Sequence, residues 1–294
     1  MLVNNGNGQS DSRQPVNRLR ARSTGRRKQM ATGDGTVGKA LDVLDQIAGF
    51  GRPVRFSEVL AQSQQPKATL YRLIQTLLKQ GMLSHDPDTG TYTLGVRLVR
   101  LAHAAWQTAS LAPLARPHLD TLAAKALETV HLAQLDHAQV LYVDKRNARD
   151  PVEMFSQAGK VGPAYCTGVG KAMLAFLPED QLGTLLQQQS FHRFTPTTYT
   201  TEQALRDELI RIRQRGHAYD REEHEPGIIC VAVPVLNAHG RVLGAISVTG
   251  QTARTDYAAL EALLPEIKET ASRIAEDASS WAFPDQPKLA VGGR

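Results

Sequence analysis

Cysteine and aromatic residues are scarce in this chain of 294 residues: Phe, Trp and Tyr together make up 5%, and the only thiols are Cys166 and Cys230. Two cysteines without metal-ligand spacing exclude a disulfide framework and a thiolate metal site, and they suit a reducing compartment. Long apolar runs are missing too. The longest uncharged one, Gly227 to Leu236, is far short of the roughly 20 residues that a membrane-spanning helix needs, and no apolar signal segment follows the basic N-terminus. A cytoplasmic protein without a membrane partner is therefore expected.

The motifs of catalysis are absent as well. There is no His-Glu-x-x-His, no nucleophile elbow and no Cys-x-x-Cys, and the nine histidines are scattered. Two glycine-rich stretches approach a phosphate-cradling loop and fail. Gly33 to Lys39 runs into Ala40 where a Ser or Thr should hold magnesium, and no strand precedes it. In the second, Tyr165 takes the place of the first glycine and Ala172 that of the hydroxyl. The acidic group Asp220, Glu222, Glu223 and Glu225 lacks a nucleophile or metal-ligand set beside it. No enzyme activity, metal or cofactor is expected.

What is present is an ordinary globular composition, 41% hydrophobic and 21% charged, at a length that suggests two domains. The net charge of +5 is unevenly placed: up to Val37 seven basic side chains face two acidic ones, and the remainder is nearly balanced. This arm, 1–35, is poor in apolar residues and reads as disordered, either an aid to phosphate binding or a solubilising leader. A short flexible tail is expected at 281–294.

From Val37 to Ala48 the apolar positions recur at helical spacing until Gly49 and Gly51 stop them. A short helix carrying Val59 and Leu60 follows, with Ser57 as a candidate cap. A third opens at Pro66, with Leu70, Leu73, Ile74, Leu77 and Leu78 as its buried stripe. Two extended runs, Met82 to His85 and Thr91 to Leu94, flank a turn-rich Asp86 to Gly90. Three short helices and a hairpin make a winged helix-turn-helix over 36–95, although a small helical domain for protein contacts shares the pattern. A linker helix is expected at 96–110. An α+β domain then fills 111–280, with strands at His131–Leu135, Val140–Asp144, His217–Asp220, Ile228–Leu236 and Val242–Thr249. Its helices are expected at Leu111–Leu127, Gly168–Phe176, Pro178–Gln187, Glu202–Gln214 and Asp256–Asp277. The glycine-punctuated Gly159 to Thr167 leads into one of these helices, whose free amides suit a carboxylate.

Three blocks, TVGKALDVLDQIA with KATLYRLIQTLLKQGML, GPAYCTGVGKAMLAFLP and GHAYDREEHEPGIICVAVPVLN, resemble the IclR family of bacterial transcriptional regulators. The likeness runs from about Thr36 to about Asp277. Leu236 departs from the family's usual aromatic or histidine. The resemblance implies a winged helix-turn-helix, a dimerising linker helix and a GAF-like domain that binds a small carboxylate or sugar acid. It also implies a homodimer or dimer of dimers on a roughly palindromic double-stranded operator, with repression of a nearby catabolic operon as the expected mode and activation as the alternative. The family's DNA contacts fall on Lys67, Ala68, Thr69, Tyr71 and Arg72, with Ala68 where Ser is common. Its effector pocket falls on Ala164, Tyr165, Cys166, Asp220, Cys230 and Ser247, with Leu141 and Met154 as apolar walls. An enzyme on the same scaffold or a protein-interaction adaptor are the other classes.

Overall fold

The computed structural model describes residues 35–149 and 154–280. Apart from Gly35, the expected arm lies outside the described residues, as does the expected tail. The chain forms two compact units, one up to Arg97 and one from Leu98.

In the first unit α1 (Thr36–Gly49), α2 (Phe56–Gln62) and α3 (Lys67–Lys79) enclose a core of Val43, Leu44, Ile47, Val59, Leu70, Leu73, Ile74 and Leu77. Helix α2 is not capped by Ser57. The Glu58 carboxylate reaches back one turn and accepts the Arg55 amide at 2.9 Å, and it also holds Arg52 at 2.6 Å. Strands β2 (Leu83–Asp86) and β3 (Thr91–Leu94) form the expected hairpin, with β1 (Val54–Arg55) added on the outer side of β3. Two residues are too few to show an alternating pattern, so β1 leaves no trace in the sequence. The wing tip is fastened by Asp86, whose side chain accepts from the Asp88 amide at 2.9 Å and the Thr89 hydroxyl at 2.7 Å.

Helix α4 (Val96–Ala109) follows, then α5 (Ala112–Ala126). The second unit is built on an antiparallel six-stranded sheet in the order β6-β5-β4-β9-β8-β7. Its strands are β4 (Thr129–Asp136), β5 (Gln139–Arg146), β6 (Val161–Pro163), β7 (Ala218–Arg221), β8 (Ile228–Leu236) and β9 (Val242–Gln251). One face carries α6 (Gly168–Leu174), α7 (Glu179–Leu186) and α8 (Glu202–Arg215); the other carries α5, α9 (Tyr257–Ala262) and α10 (Leu264–Asp277). Both faces are covered, which is why β8 and β9 read as nearly unbroken apolar runs. The molecule is thus α+β, a winged helix-turn-helix followed by a GAF-like domain.

The single helix expected from Asp256 to Asp277 is two. Pro265 has no amide to donate, so α9 ends at Leu263, whose amide bonds to Leu260, and the proline sits in the first turn of α10. Strand β6 was not anticipated, being three residues long and glycine-centred.

One irregularity in the sheet fixes what faces what. Strands β4 and β5 pair with Leu132 opposite Asp144 and Ala133 opposite Tyr142, so Val143 has no partner. This bulge shifts the alternation by one residue. Tyr142 and Val140 turn to the α6 face, and Val143 and Leu141 turn to the α5 and α10 face.

Candidate functional site

In the first unit the apolar stripe of α3 is buried, which leaves Lys67, Ala68, Tyr71 and Arg72 exposed and Thr69 half-buried. The Tyr71 ring stands edge-on to Phe56 of α2, 6.1 Å between centroids, so a 54% exposed aromatic is steadied at the surface. No acidic side chain occupies the first turn of α3. Two cations, a phenol and a hydroxyl on two turns of one helix suit phosphate oxygens and base edges in a major groove; Ala68 supplies only a methyl group.

In the second unit the strand registers align polar side chains beneath α6. One row runs Thr129, Thr249, Cys230, Asp220 across four strands, and the next runs His131, Ser247, Ala232, Ala218. Helix α6 lies close on these rows because its start lacks side chains. A Cβ on Gly168 would come within 2.3 Å of the Cys230 sulfur, and one on Gly170 within 2.3 Å of the Ala164 carbonyl. Ala164, Tyr165 and Cys166, all buried, lead into that helix start. No side chain caps α6, since the Thr167 hydroxyl turns back to the Pro163 carbonyl at 2.8 Å.

The electrostatics of this polar cluster follow from burial. Asp220 accepts the Glu223 amide at 2.8 Å through one oxygen. Its pKa is pushed up to about 7, first by burial and then by the Glu223 carboxylate, with Lys171 opposing. Lys171 of α6 is fully buried and forms an ion pair with both oxygens of Glu223, while its ammonium lies 5.0 Å from the Tyr199 ring centre. Burial also raises Glu223. The Cys166 and Cys230 thiols are driven well up by burial and then by the Asp220 charge, so both stay protonated. His131 is pulled down to about 3 by burial and the Lys145 ammonium, which makes it a neutral imidazole at physiological pH. Its Nε2 is 2.8 Å from the Ser156 hydroxyl, and its Nδ1 is 3.2 Å from that of Thr249 and 3.4 Å from that of Ser247.

Of the residues expected in the pocket, Ala164, Tyr165, Cys166, Asp220, Cys230 and Ser247 lie on the α6 face or in the loop above it. Leu141 does not: it pairs with Gln134 and faces the other way, against the α5 and α10 core. Met154 is buried, directly after the undescribed residues 150–153. Tyr165 donates its hydroxyl proton to the His192 carbonyl at 2.7 Å, so that donor is already engaged. Four residues of the cluster escaped the sequence: His131, Tyr142, Ser156 and Thr249. For His131 and Thr249 a signal existed, polar residues at every second position within apolar strands. Tyr142 is hidden by the bulge and Ser156 by its loop.

A basic, exposed recognition helix in a winged fold, joined in one chain to an α+β domain with a cluster of buried polar side chains, defines a DNA-binding transcriptional regulator with an effector domain. The model of the IclR helix-turn-helix domain matches residues 36–87, and that of the bacterial transcriptional regulator IclR C-terminal domain matches residues 103–276. The chain belongs to the IclR family. The HTH-type transcriptional regulator XynR of Escherichia coli (strain K12) is 32% identical over 76% of this chain and 89% of that protein. The acetate operon repressor of Salmonella typhimurium is 30% identical over 74% and 80%. The crystal structure of Thermotoga maritima IclR has a TM-score of 0.65 at 30% identity and covers 82% of this chain and 97% of that one. These relatives are named as regulators, and the chain is a regulator rather than an enzyme. Among the described residues no helix is long and apolar enough to cross a membrane.

Proposed function

We propose that this regulator represses a nearby catabolic operon from the cytoplasm and is released by a small carboxylate or sugar acid. In this reading 36–95 binds DNA, 96–110 joins and dimerises, and 111–280 senses. The observation that carries the sensing half is the cluster of buried polar side chains under α6, where Asp220, Ser247 and Cys230 lie in rows beneath the uncapped helix. Asp220, its pKa raised to about 7 by burial, is partly protonated at neutral pH and repels an anionic ligand less than a fixed carboxylate would. The DNA-binding half rests on Lys67, Thr69, Tyr71 and Arg72, placed to contact one half-site of a roughly palindromic operator. Two copies, or a dimer of dimers, supply the symmetry. Support for pairing comes from α4, which exposes Val99 and Leu101 beside a groove of about 430 Å3 lined by Val99, Ala102, His103, Trp106 and Pro113. The acetate operon protein is named a repressor, which favours repression here. Effector control requires that the acid bind the DNA-free and DNA-competent states with different affinity.

The test is selection of genomic fragments on the purified protein, followed by footprinting with and without metabolite extract. A palindrome beside one catabolic operon, protected without extract and released with it, is the expected result. Protection that strengthens with extract would make the chain an activator, and enrichment of no fragment would overturn the reading.

A further inference from the structure

The winged unit carries little positive charge for a domain that binds a polyanion. From Thr36 onward the chain has as many acidic as basic side chains, twenty-seven of each. Between Thr36 and Arg97 seven Lys and Arg stand against five Asp and Glu. Two of those seven are engaged within the unit: Arg52 binds Glu58 at 2.6 Å, and Arg97 donates to the Gln80 carbonyl at 2.9 Å and to its side chain at 2.8 Å. On the first two turns of α3 the cations are Lys67 and Arg72. Neutralising the six to ten phosphates of a firm non-specific grip, roughly, needs more than these.

The wing does not supply the difference. No Lys or Arg occurs from Leu83 to Leu94, and the tip exposes Asp86 and Asp88. The Thr89 hydroxyl and the Asp88 amide hold the Asp86 carboxyl below the usual carboxylate range, so it is charged at neutral pH. His85 beside it packs against the Tyr92 ring, 4.7 Å between centres. Phosphates repel such a tip. The start of α2, the helix of the pair that crosses a duplex backbone, is taken by the Glu58 carboxylate on the Arg55 amide.

What the body lacks, the arm has. Arg18, Arg20, Arg22, Arg26, Arg27 and Lys28 follow one another with no acidic side chain between Asp11 and Asp34. The arm joins the body at α1, which packs on α3. Eight residues part Lys28 from Thr36 and span at most about 28 Å, close to one duplex turn of about 34 Å. A leader that only kept the chain soluble would serve with either sign of charge. Here the sign is the one that the rest of this DNA-binding chain is short of.

We propose that residues 13–28 are a second DNA-contacting element, which binds the phosphates flanking the bases read by α3 and takes the place of a basic wing. The partner is the duplex backbone, met through charge alone, so this contact is independent of base sequence. Much of the salt dependence of binding then originates outside the winged fold, and most of the base discrimination inside it.

The experiment is fluorescence anisotropy of the full chain on a labelled random-sequence duplex of about 30 base pairs, titrated from about 50 to 300 mM NaCl. The arm variant carries Arg18→Gln, Arg20→Gln, Arg22→Gln, Arg26→Gln and Arg27→Gln. It is expected to lower the slope of log affinity against log salt by about two or more, out of at most about 4.5 per chain for five phosphate contacts. A smaller fall overturns the proposal. Lys125→Gln with Lys268→Gln, exposed cations of the effector unit, is expected to leave the slope within about 0.5; a loss per charge equal to that of the arm overturns contact in favour of net charge. Asp88→Lys puts a cation on the wing tip and is expected to change the slope by less than about 0.5, whereas a rise of about one would set the wing on the backbone and overturn the exchange of roles. Tighter binding of a single-stranded RNA of the same length, lost in the arm variant, overturns the duplex in favour of RNA.

Discussion

In the winged unit the residues assigned to recognition lie at the surface of a core that is aliphatic except for Tyr92; in the effector unit the residues assigned to ligand binding are themselves part of the interior. Arg72 and Tyr71 contribute nothing to the stripe of Leu70, Leu73, Ile74 and Leu77, so DNA contacts can change without disturbing the fold. Asp220, His131, Ser247 and Thr249 are all nine-tenths buried or more, so a change of ligand is also a change of core. One unit separates function from stability, and the other joins them.

The sharpest way to break this contrast is at the ion pair beneath α6. Glu223→Ala strands a buried ammonium and is expected to cost about 3–5 kcal/mol in urea denaturation, whereas replacing both partners, Lys171→Met with Glu223→Leu, restores much of it. A cost below about 1 kcal/mol for the single change would place this site among the dispensable surface pairs. On the other side, Arg72→Ala is expected to weaken operator binding by about 1–3 kcal/mol, read by gel shift, with a stability change within about 0.5 kcal/mol. A clear loss of melting temperature would show that α3 is not separable after all.

Asp220 sharpens the comparison through pH. Its pKa is raised from 3.8 to about 7 in the fold, so the folded state holds a proton that the unfolded chain releases. Its contribution to stability is full below about pH 4 and declines as pH rises toward 7. Asp220→Asn is expected to flatten that decline in denaturant midpoints taken across the range, and an unchanged slope would remove Asp220 as its source. The smallest effect belongs to Lys67→Ala, which is expected to lower the slope of log affinity against log salt by about one if Lys67 meets a phosphate. An unchanged slope would take Lys67 off the backbone.

Much of this was legible before any coordinates. The stripe of α3, the Asp86 to Gly90 turn and the boundaries of β8 follow from periodicity and turn chemistry, because each is a local pattern. In the polar cluster, Asp220, Cys230 and Ser247 were legible through family resemblance. What stayed hidden depends on non-local or sub-pattern features. The partner of β1 lies far along the chain, Val54 pairing with Tyr92 and Arg55 with Thr91. The α2 cap is a Glu58 contact rather than the nearer Ser57. Leu141 was named as a pocket wall beside the positions the resemblance supplied, and such a match does not tell which face of β5 a residue takes.

The unpaired residue of β5 also decides what a change of length can do to this domain. Val143 is one residue more than β4 can match. Its loss would leave Asp144 opposite Leu132 and Tyr142 opposite Ala133, so a loss of three nucleotides here takes an apolar side chain from the α5 and α10 face and turns no other residue over. Two such regulators that differ in length at this point of β5 can therefore share the same polar rows, and the residue at position 142, rather than the length of the strand, is the first thing to compare between them.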